Sequence, residues 1–220
     1  MTLQKKRVYT FLSLLLISIT ANSQTSIINY SSSWKYLDNN SRPAGWEAVG
    51  FDDSAWPAGN AELGYGDGDE ATIVSFGGNG TNKYITTLFR KVFTITDINS
   101  FANLTLNVIR DDGFVLYLNG VELIRNNLPP GGINSGTLAL TGISGTGETT
   151  PLSFVFCPGK FLEGENTIAV EMHQNAVTSS DISFRLQLTG NLPAVGTPVL
   201  ARGPYLQMGS ETAITIRWRT

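Results

Sequence analysis

Two adjacent carboxylates, Asp111 and Asp112, precede Gly113 in the stretch RDDGFVLYLNGVELI. Carboxylates bind Ca²⁺, and a pair of them can act as the acid and base of a glycosidase. Neighbouring strand residues point to opposite faces, which argues against an acid/base pair unless the strand breaks there. Two interpretations remain: a Ca²⁺ site at a bend that Gly113 permits, or carboxylates that cap turns or pair with arginine. The arginines considered are Arg90, Arg110 and Arg125.

A second acidic cluster lies in the glycine-rich stretch GYGDGDEAT, which carries Asp67, Asp69 and Glu70. Carboxylates that alternate with glycine resemble the first half of an EF-hand loop, but the later bidentate glutamate and the flanking helices are missing. We expect either a bound structural Ca²⁺ ion or a solvated turn. With Asp112, these three residues form the candidate Ca²⁺ ligand set.

The one histidine, His173, lies in VEMHQ at the end of a predicted strand. A dinuclear phosphatase centre needs several imidazoles or carboxylates around two cations about 4 Å apart. His173 is therefore expected to be either a structural hydrogen-bonding group or a ligand contact. The sequence has no Gly-x-Ser-x-Gly elbow, HExxH pair or P-loop, so it predicts no catalytic residue in this chain.

Aromatic rings are the remaining binding chemistry, because sugar rings dock on Trp and Tyr faces. A chain of this size needs most of its rings for a core, so one or two at most are expected to be exposed. The rings considered are Trp34, Trp46, Trp56, Tyr65 and Tyr84. The candidate ligand-binding residues are Trp46, Tyr65, Asp111, Asp112 and His173.

Composition and charge exclude some partners. The net charge is -3 and no Lys/Arg run is present, so no electrostatic footprint for nucleic acid exists. Residues 1–23 combine Lys5-Lys6-Arg7, an apolar run and small residues, which predicts a signal peptide cleaved before Gln24. The run of about a dozen residues is too short to span a membrane. We expect export to the periplasm, cell surface or medium, without membrane insertion after cleavage.

The pattern of short runs predicts strands. Helical periodicity is almost absent, and alternating or aromatic-rich runs are bounded by Gly, Asn, Asp and Pro. This predicts an all-β jelly-roll sandwich over residues 27–190, with a type I′ hairpin turn at Asn119-Gly120. Cys157 has no intramolecular partner, and we expect a buried or half-buried thiol. The strand candidates are residues 83–95, 102–109, 113–124, 151–158, 166–174 and 182–190.

The intervening segments predict loops and a boundary. Residues 38–80 predict a long ordered loop with one helical turn near residues 52–54, whose aromatic side chains plug one end of the sandwich. Residues 126–150 predict a second long loop. The prolines of residues 191–199 indicate an interdomain linker. A new strand pair begins in residues 200–220 and stops within a strand, which predicts a piece of a longer protein.

The block from WKYLD to SSDISFRLQL resembles the galactose-binding-like jelly-roll modules of secreted bacterial multidomain hydrolases. Its DDG…YLNG and GENTIAVE stretches are also similar to the sugar-binding domain of β-galactosidase-type glycosidases. Asp111 to Gly113 are similar to the Asp-Asp-Gly of protective-antigen-type sugar-binding modules, which implies a Ca²⁺ ion held by both carboxylates and bridging glycan hydroxyls. The resemblance implies a non-catalytic, carbohydrate-binding accessory module.

The block LARGPYLQMGSETAITIRWRT, residues 200–220, is similar to the opening of the fibronectin-type domain that precedes the catalytic domain of purple acid phosphatase-like metallophosphoesterases. This implies an exported parent phosphoesterase with a dinuclear metal centre in a C-terminal catalytic domain. The family's Gly-Asp and Gly-Asn-His metal motifs have no match here. The alternatives are that this region is only the structural or docking front end of the phosphatase, or a spacer.

Overall fold

The computed structural model describes residues 24–193 of the protein. Beyond them it describes the backbone of two strands, Tyr205–Gly209 and Ile214–Arg217. Strands make up almost all of the regular secondary structure of the main unit, so the all-β prediction is confirmed. The predicted signal peptide and most of the predicted linker lie outside the described residues. None of the helices in the described part of the chain has the length and apolar character needed to cross a membrane.

The strands of the main unit are β1 (Gln24–Ile28), β2 (Ser33–Leu37), β3 (Ala58–Asn60), β4 (Leu63–Tyr65), β5 (Thr72–Ile73), β6 (Thr86–Ile95), β7 (Asn103–Asp111), β8 (Gly113–Leu118), β9 (Val121–Asn126), β10 (Leu152–Phe156), β11 (Gly164–His173) and β12 (Ile182–Asn191). The helices are α1 (Thr146–Thr149) and two 3₁₀ turns, Ile98–Ser100 and Pro158–Lys160.

Two sheets make up the main unit. Sheet A has the order β10-β7-β12-β4-β5, and β1 pairs with β12 on the side away from β7. Sheet B has the order β3-β2-β6-β11-β8-β9. All pairs are antiparallel except the short β4–β5 pair. The register places Gln24 opposite Asn191, so the first and last strands of the unit end side by side.

The main core lies between the sheets. Strand alternation directs every second residue of β7 inward, and Leu104, Leu106 and Val108 are completely buried. Phe184 of sheet A stacks on Phe89 of sheet B with ring centroids 4.4 Å apart. Trp34 meets Phe184 edge-on at 5.0 Å. These aromatic contacts join the two sheets.

A second apolar cluster covers the outer face of sheet B. Trp46 and Trp56, from the segment before β3, pack there with Leu128 and Ala139 from the segment before α1. The buried guanidinium of Arg90 holds the segment before β3 in place. It donates to backbone carbonyls of that segment and, over 2.9 Å, to the Asp53 carboxylate. Sheet B is therefore buried on both faces.

The second cluster corrects the prediction for residues 38–80. Trp46 and Trp56 cover a sheet face instead of plugging one end, because Arg90 anchors their segment across sheet B. Tyr65 is buried in the main core because it is part of β4. The predicted helical turn is instead a tight turn, closed by Trp56 N–H donating to the Asp53 carbonyl at 3.0 Å. The stretch also contains β3, β4 and β5.

The other strand predictions agree with the structure. Each of the six candidates contains strand, and Asn119 and Gly120 both have positive φ, as a type I′ turn requires. Strands β1 to β5 were not predicted. The expectation for Cys157 is wrong: its thiol is exposed, because alternation along β10 turns Phe154 and Phe156 inward and Val155 outward.

The second unit is described by its backbone alone. Tyr205–Gly209 (β13) and Ile214–Arg217 (β14) form an antiparallel pair in which Tyr205 lies opposite Arg217. The strand pair predicted for residues 200–220 is therefore present, while its assignment to a fibronectin-type domain stays a prediction.

Candidate functional site

Asp112 lies at the corner where the chain leaves sheet A for sheet B. β7 ends at Asp111 and β8 begins at Gly113, so Asp112 is the only residue between them. Its two oxygens accept hydrogen bonds from the backbone N–H groups of Ile143 (2.6 Å) and Asn175 (2.7 Å). Asp112 therefore pins two loops to the corner.

The strand breaks at Asp112, between β7 and β8. Of the two interpretations of the paired carboxylates, turn capping therefore holds for Asp112. A Cβ at Gly113 would lie 2.8 Å from the Asn127 carbonyl oxygen, so the corner requires glycine. The arginine pairing is not observed: Arg90 pairs with Asp53, and Arg125 with Glu122.

Asp111 has a different environment. Its side chain is 1% exposed, and neither carboxylate oxygen accepts a hydrogen bond. Burial raises the pKa of Asp111 to about 9, and a side-chain hydrogen bond with Asp112 and the charges of Asp112, Asp181 and Glu148 raise it further. Arg110 next to it donates to the Gly147 carbonyl at 2.9 Å. Asp111 is therefore a buried acid whose neutral form the fold favours.

An acidic pocket of about 260 Å³ opens on the outer face of sheet A, at the Asp111 end of β7. The register pairs Asp111 with Ser183 of β12, one of the residues that line the pocket. Helix α1 packs against β7 and contributes one wall. Asp111 therefore lies on the same face of sheet A as the pocket. The pocket is lined by Glu62, Asp67, Asp69, Glu148, Thr149, Ser183 and Arg185.

Carboxylates crowd this pocket. Asp67, Glu148 and Asp181 each bring one oxygen within 4.8 Å of the others, and Glu62 and Asp69 form a second trio with Asp67. Burial raises the pKa of Glu148, and Asp181 and Asp67 raise it further. Burial also raises the pKa of Glu62, against the effect of the Arg185 guanidinium. The pocket therefore concentrates negative charge.

The loop between β4 and β5 presents two of these carboxylates. Gly66 and Gly68 have φ of 112° and 84°, in the left-handed region that favours glycine. The Glu70 carboxylate accepts hydrogen bonds from the N–H groups of Asp67 (2.8 Å) and Gly68 (2.9 Å) and closes the turn. Asp67 and Asp69 are thereby directed to the pocket.

The predicted Ca²⁺ set is therefore divided between two roles. Asp67 and Asp69 line the pocket, whereas the oxygens of Glu70 and Asp112 are engaged by backbone N–H groups. Sequence reasoning missed Glu148 and Asp181. They approach Asp67 only through strand pairing and helix packing, and no local spacing reveals this.

His173 belongs to a buried network on the outer face of sheet B. Its Nδ1 lies 2.7 Å from the Thr137 carbonyl oxygen, which can only accept, so Nδ1 carries the proton. Its Nε2 lies 3.4 Å from Glu171. Glu171 also accepts from Arg42 Nε at 2.8 Å and from the Tyr117 hydroxyl at 2.7 Å. The position fits the structural alternative for His173.

The Glu171 carboxylate is ionised in this network. Burial alone would raise its pKa, but the nearby His173 and the hydrogen bonds from Arg42 and Tyr117 outweigh burial and lower the pKa to about 2. The same burial, together with the Glu171 carboxylate, raises the pKa of Tyr117.

The two candidate sugar-stacking rings are buried. Trp46 is 0% exposed and packs edge-on against Tyr117 at 5.8 Å. Tyr65 is 8% exposed, and its hydroxyl accepts a hydrogen bond from Gln174 at 2.9 Å. A half-exposed ring that was not predicted, Tyr30, lies 5.6 Å from the Arg185 guanidinium beside the acidic pocket.

The chain matches no protein-family model and no curated protein. Among solved structures, a glycosyl hydrolase family 2 member from Bacteroides cellulosilyticus is 14% identical over 76% of this chain and 20% of that chain, with a TM-score of 0.50. A β-glucuronidase from glycoside hydrolase family 2 is 18% identical over 91% of this chain and 22% of that chain (TM-score 0.47). A Bacteroides uniformis β-glucuronidase is 15% identical over 76% and 18%, respectively (TM-score 0.48).

At these identities, the likeness shows the fold alone, which is a β-sandwich. The chain spans about a fifth of the length of these structures.

Proposed function

We propose that the chain is a non-catalytic accessory module that binds glycan at the acidic pocket. The observation that carries the proposal is the mixture of groups at this opening: carboxylates, the hydroxyls of Ser183 and Thr149, and the Arg185 guanidinium beside the Tyr30 ring. Carboxylates and guanidinium accept and donate paired hydrogen bonds, which suits neighbouring sugar hydroxyls. An aromatic ring next to them offers an apolar face.

Arg185 is central to this proposal. Its Nε lies 3.1 Å from Glu62, and its side chain is about one-third exposed, so its remaining N–H groups are available to a ligand. Arg125 offers a matched control, because it also pairs with a glutamate, at 2.7 Å, but lies on β9 of sheet B.

The test is affinity electrophoresis of the purified protein in gels containing soluble polysaccharides, with the Arg185→Ala and Arg125→Ala variants run in parallel. We expect at least one polysaccharide to retard the unmodified protein and the Arg125→Ala variant, and to retard the Arg185→Ala variant much less. Equal loss in both variants, or no retardation by any polysaccharide, would contradict the proposal. Release of reducing ends from the bound polysaccharide would contradict a non-catalytic role.

We also propose that the module is exported and is the N-terminal part of a metallophosphoesterase, whose C-terminal catalytic domain would hold the dinuclear centre. The support is the character of residues 1–23 and the resemblance of residues 200–220 to a phosphatase fibronectin-type domain. N-terminal sequencing of the secreted protein should start at Gln24. Sequence beyond Thr220 should contain the Gly-Asp and Gly-Asn-His metal motifs, and a continuation without them would remove the phosphatase assignment.

A further inference from the structure

A second pocket, of about 300 Å³, opens on sheet B where the pairing of β2 with β6 ends. The register of these strands stops at Lys35 opposite Arg90, whereas β2 continues to pair with β3 through Trp34 and Ser33. Among the described residues, no strand pairs with this edge of β6 beyond Arg90, so residues from both faces of β6 reach the same opening. The pocket is lined by Ser33, Trp34, Lys35, Asp53, Ala58, Arg90, Lys91 and Val92.

Positive charge is concentrated in this pocket. Three of its lining residues are cationic, Lys35, Arg90 and Lys91, and one is anionic, Asp53. The Asp53 carboxylate pairs with Arg90 at 2.9 Å. Neither lysine pairs with a carboxylate in the part of the chain that the structure describes. The pocket therefore holds a surplus of positive charge, although the protein as a whole has a net charge of -3.

Two of these cationic side chains, Lys35 and Arg90, lie directly opposite each other in the antiparallel pair. Like charges at such positions are destabilising, because the Cβ atoms of a cross-strand pair are only about 5 Å apart. Asp53 neutralises one of the two charges. Lys91 adds a third, and burial lowers its pKa, as expected for an ammonium group that no carboxylate stabilises. An anion in the pocket would offset the charges of both lysines.

The indole N–H of Trp34 indicates the same kind of ligand independently of charge. Trp34 lines the pocket and is 1% exposed, and its Nε1 has no hydrogen-bond partner among the described residues. An indole N–H can only donate, and a buried donor without an acceptor costs free energy. The Lys91 ammonium lies 5.9 Å from the centre of the Trp34 ring. A ligand with an acceptor atom would supply what both groups lack.

The donors that remain free indicate the class of ligand. The ammonium groups of Lys35 and Lys91 have three N–H groups each, and each donates one hydrogen bond to a backbone carbonyl 2.9 Å away. The Arg90 guanidinium could hold a planar carboxylate with paired hydrogen bonds, but it already donates to Asp53 and to backbone carbonyls. Ammonium groups act as point charges and suit the several oxygens of a tetrahedral oxyanion.

We infer that this pocket binds a phosphate or sulfate group, which accepts hydrogen bonds from the Lys35 and Lys91 ammonium groups and from the Trp34 indole N–H. The group is either the free ion or an ester carried by a sugar. The pocket lies on sheet B, whereas the acidic pocket lies on sheet A, so binding here requires no glycan at the acidic pocket.

An NMR titration follows the Trp34 indole N–H directly. ¹⁵N-labelled protein is titrated with sodium phosphate and, separately, with sodium sulfate, at constant ionic strength because salt screens exposed charges. We expect a saturable shift of the Trp34 indole resonance, which is assigned by its absence in Trp34→Phe. The Trp46 indole N–H is the internal control, because it is also buried without a partner among the described residues but lies outside the pocket lining. No saturable shift at Trp34, or an equal shift at Trp46, would overturn the inference.

Three lysine variants locate the ion. Lys35→Gln and Lys91→Gln should each weaken binding by about tenfold, the equivalent of one charge-assisted hydrogen bond. Lys160→Gln removes an exposed lysine outside the pocket and should bind as the unmodified protein does. Lys35 and Lys91 are only half-buried, so both variants should fold normally. Unchanged binding in both pocket variants would overturn the site.

The same titration with glucose 6-phosphate and glucose 6-sulfate distinguishes the two sources of the group. Tighter binding of these esters than of the inorganic ions would support a group carried by a sugar, and equal or weaker binding would support the free ion. Sodium acetate should bind at least about tenfold more weakly than sulfate, because a carboxylate offers only two oxygens. Acetate that binds as tightly as sulfate would overturn the assignment to a tetrahedral oxyanion.

Discussion

Glu171 and Asp111 are both buried carboxylates, one on the outer face of each sheet, and their surroundings differ completely. Glu171 is 0% exposed and receives hydrogen bonds from Arg42 and Tyr117, with His173 3.4 Å away. Asp111 is 1% exposed and receives none. The folded chain supplies every partner that Glu171 needs, which identifies a structural group. Asp111 has no such donors and lies against the Asp112 carboxylate, so its surroundings favour the neutral acid over the ion.

The largest expected effect comes from removing the charge of Glu171. Glu171→Gln leaves Arg42 without its carboxylate and should lower the free energy of unfolding by about 3 kcal/mol, or the Tm by about 6 to 12 °C. Urea denaturation measures the change. Glu122→Gln, which breaks the exposed pair with Arg125, should cost less than about 1 kcal/mol. Equal costs would mean that the buried network does not stabilise the fold.

The pH dependence of the free energy of unfolding should also report on Glu171. The pKa of Glu171 is lowered to about 2 in the fold from an ordinary value of 4.5, so the folded state favours its ionised form. Its contribution is fully present above about pH 4.5 and is lost as the pH falls towards 2. Unfolding free energies of the unmodified protein and Glu171→Gln should therefore converge between these values. Parallel curves would contradict the assignment.

Removing the carboxylate of Asp111 is expected to stabilise the fold, in contrast to the same change at Glu171. At pH 8, Asp111→Asn should raise the free energy of unfolding by about 1 to 2 kcal/mol. Because burial raises the pKa of Asp111, folding at this pH must either take up a proton or bury a charge, whereas the amide does neither. Thermal unfolding of the two proteins measures the difference. A destabilised variant would show that the fold stabilises the ionised form of Asp111.

The smallest effect separates two glycines of the same loop. A Cβ at Gly66 would lie 2.6 Å from the Asp181 Cβ, whereas nothing lies within 4 Å of a Cβ at Gly68. Both have positive φ, so alanine at either should cost about 1 kcal/mol. Only Gly66→Ala should also displace Asp181, and it should therefore lower the free energy of unfolding more than Gly68→Ala in urea denaturation. Equal costs would indicate that Asp181 moves freely to make room for the new Cβ.

The spacing of residues within short stretches predicted those strands and turns that short stretches determine. Alternation located the seven strands from β6 to β12, and Asn119-Gly120 located the hairpin turn between β8 and β9. The short strands β3 to β5 were missed because their stretch is rich in glycine and polar residues. They form only by pairing, β3 with β2, β4 with β12, and β5 with β4.

The candidate site was predictable only in part. Asp67 and Asp69 follow from the alternation of glycine and carboxylate within one loop. Glu148 and Asp181 reach that loop through the register of β12 with β4 and β7 and through the packing of α1, which no short stretch encodes. The role of Asp112 was equally hidden, because its donors, Ile143 and Asn175, lie in distant loops.

The pairing of Gln24 with Asn191 determines how the module responds to force. β1 and β12 run antiparallel, and the outer ends of both lie at the same corner of sheet A. A pull on these two ends opens the hydrogen bonds between the strands one after another, whereas strands pulled from opposite ends must break many bonds together. Tension along a longer polypeptide would therefore peel β1 away first, and the acidic pocket, at the far end of β12, would be the last part of this strand to feel the load.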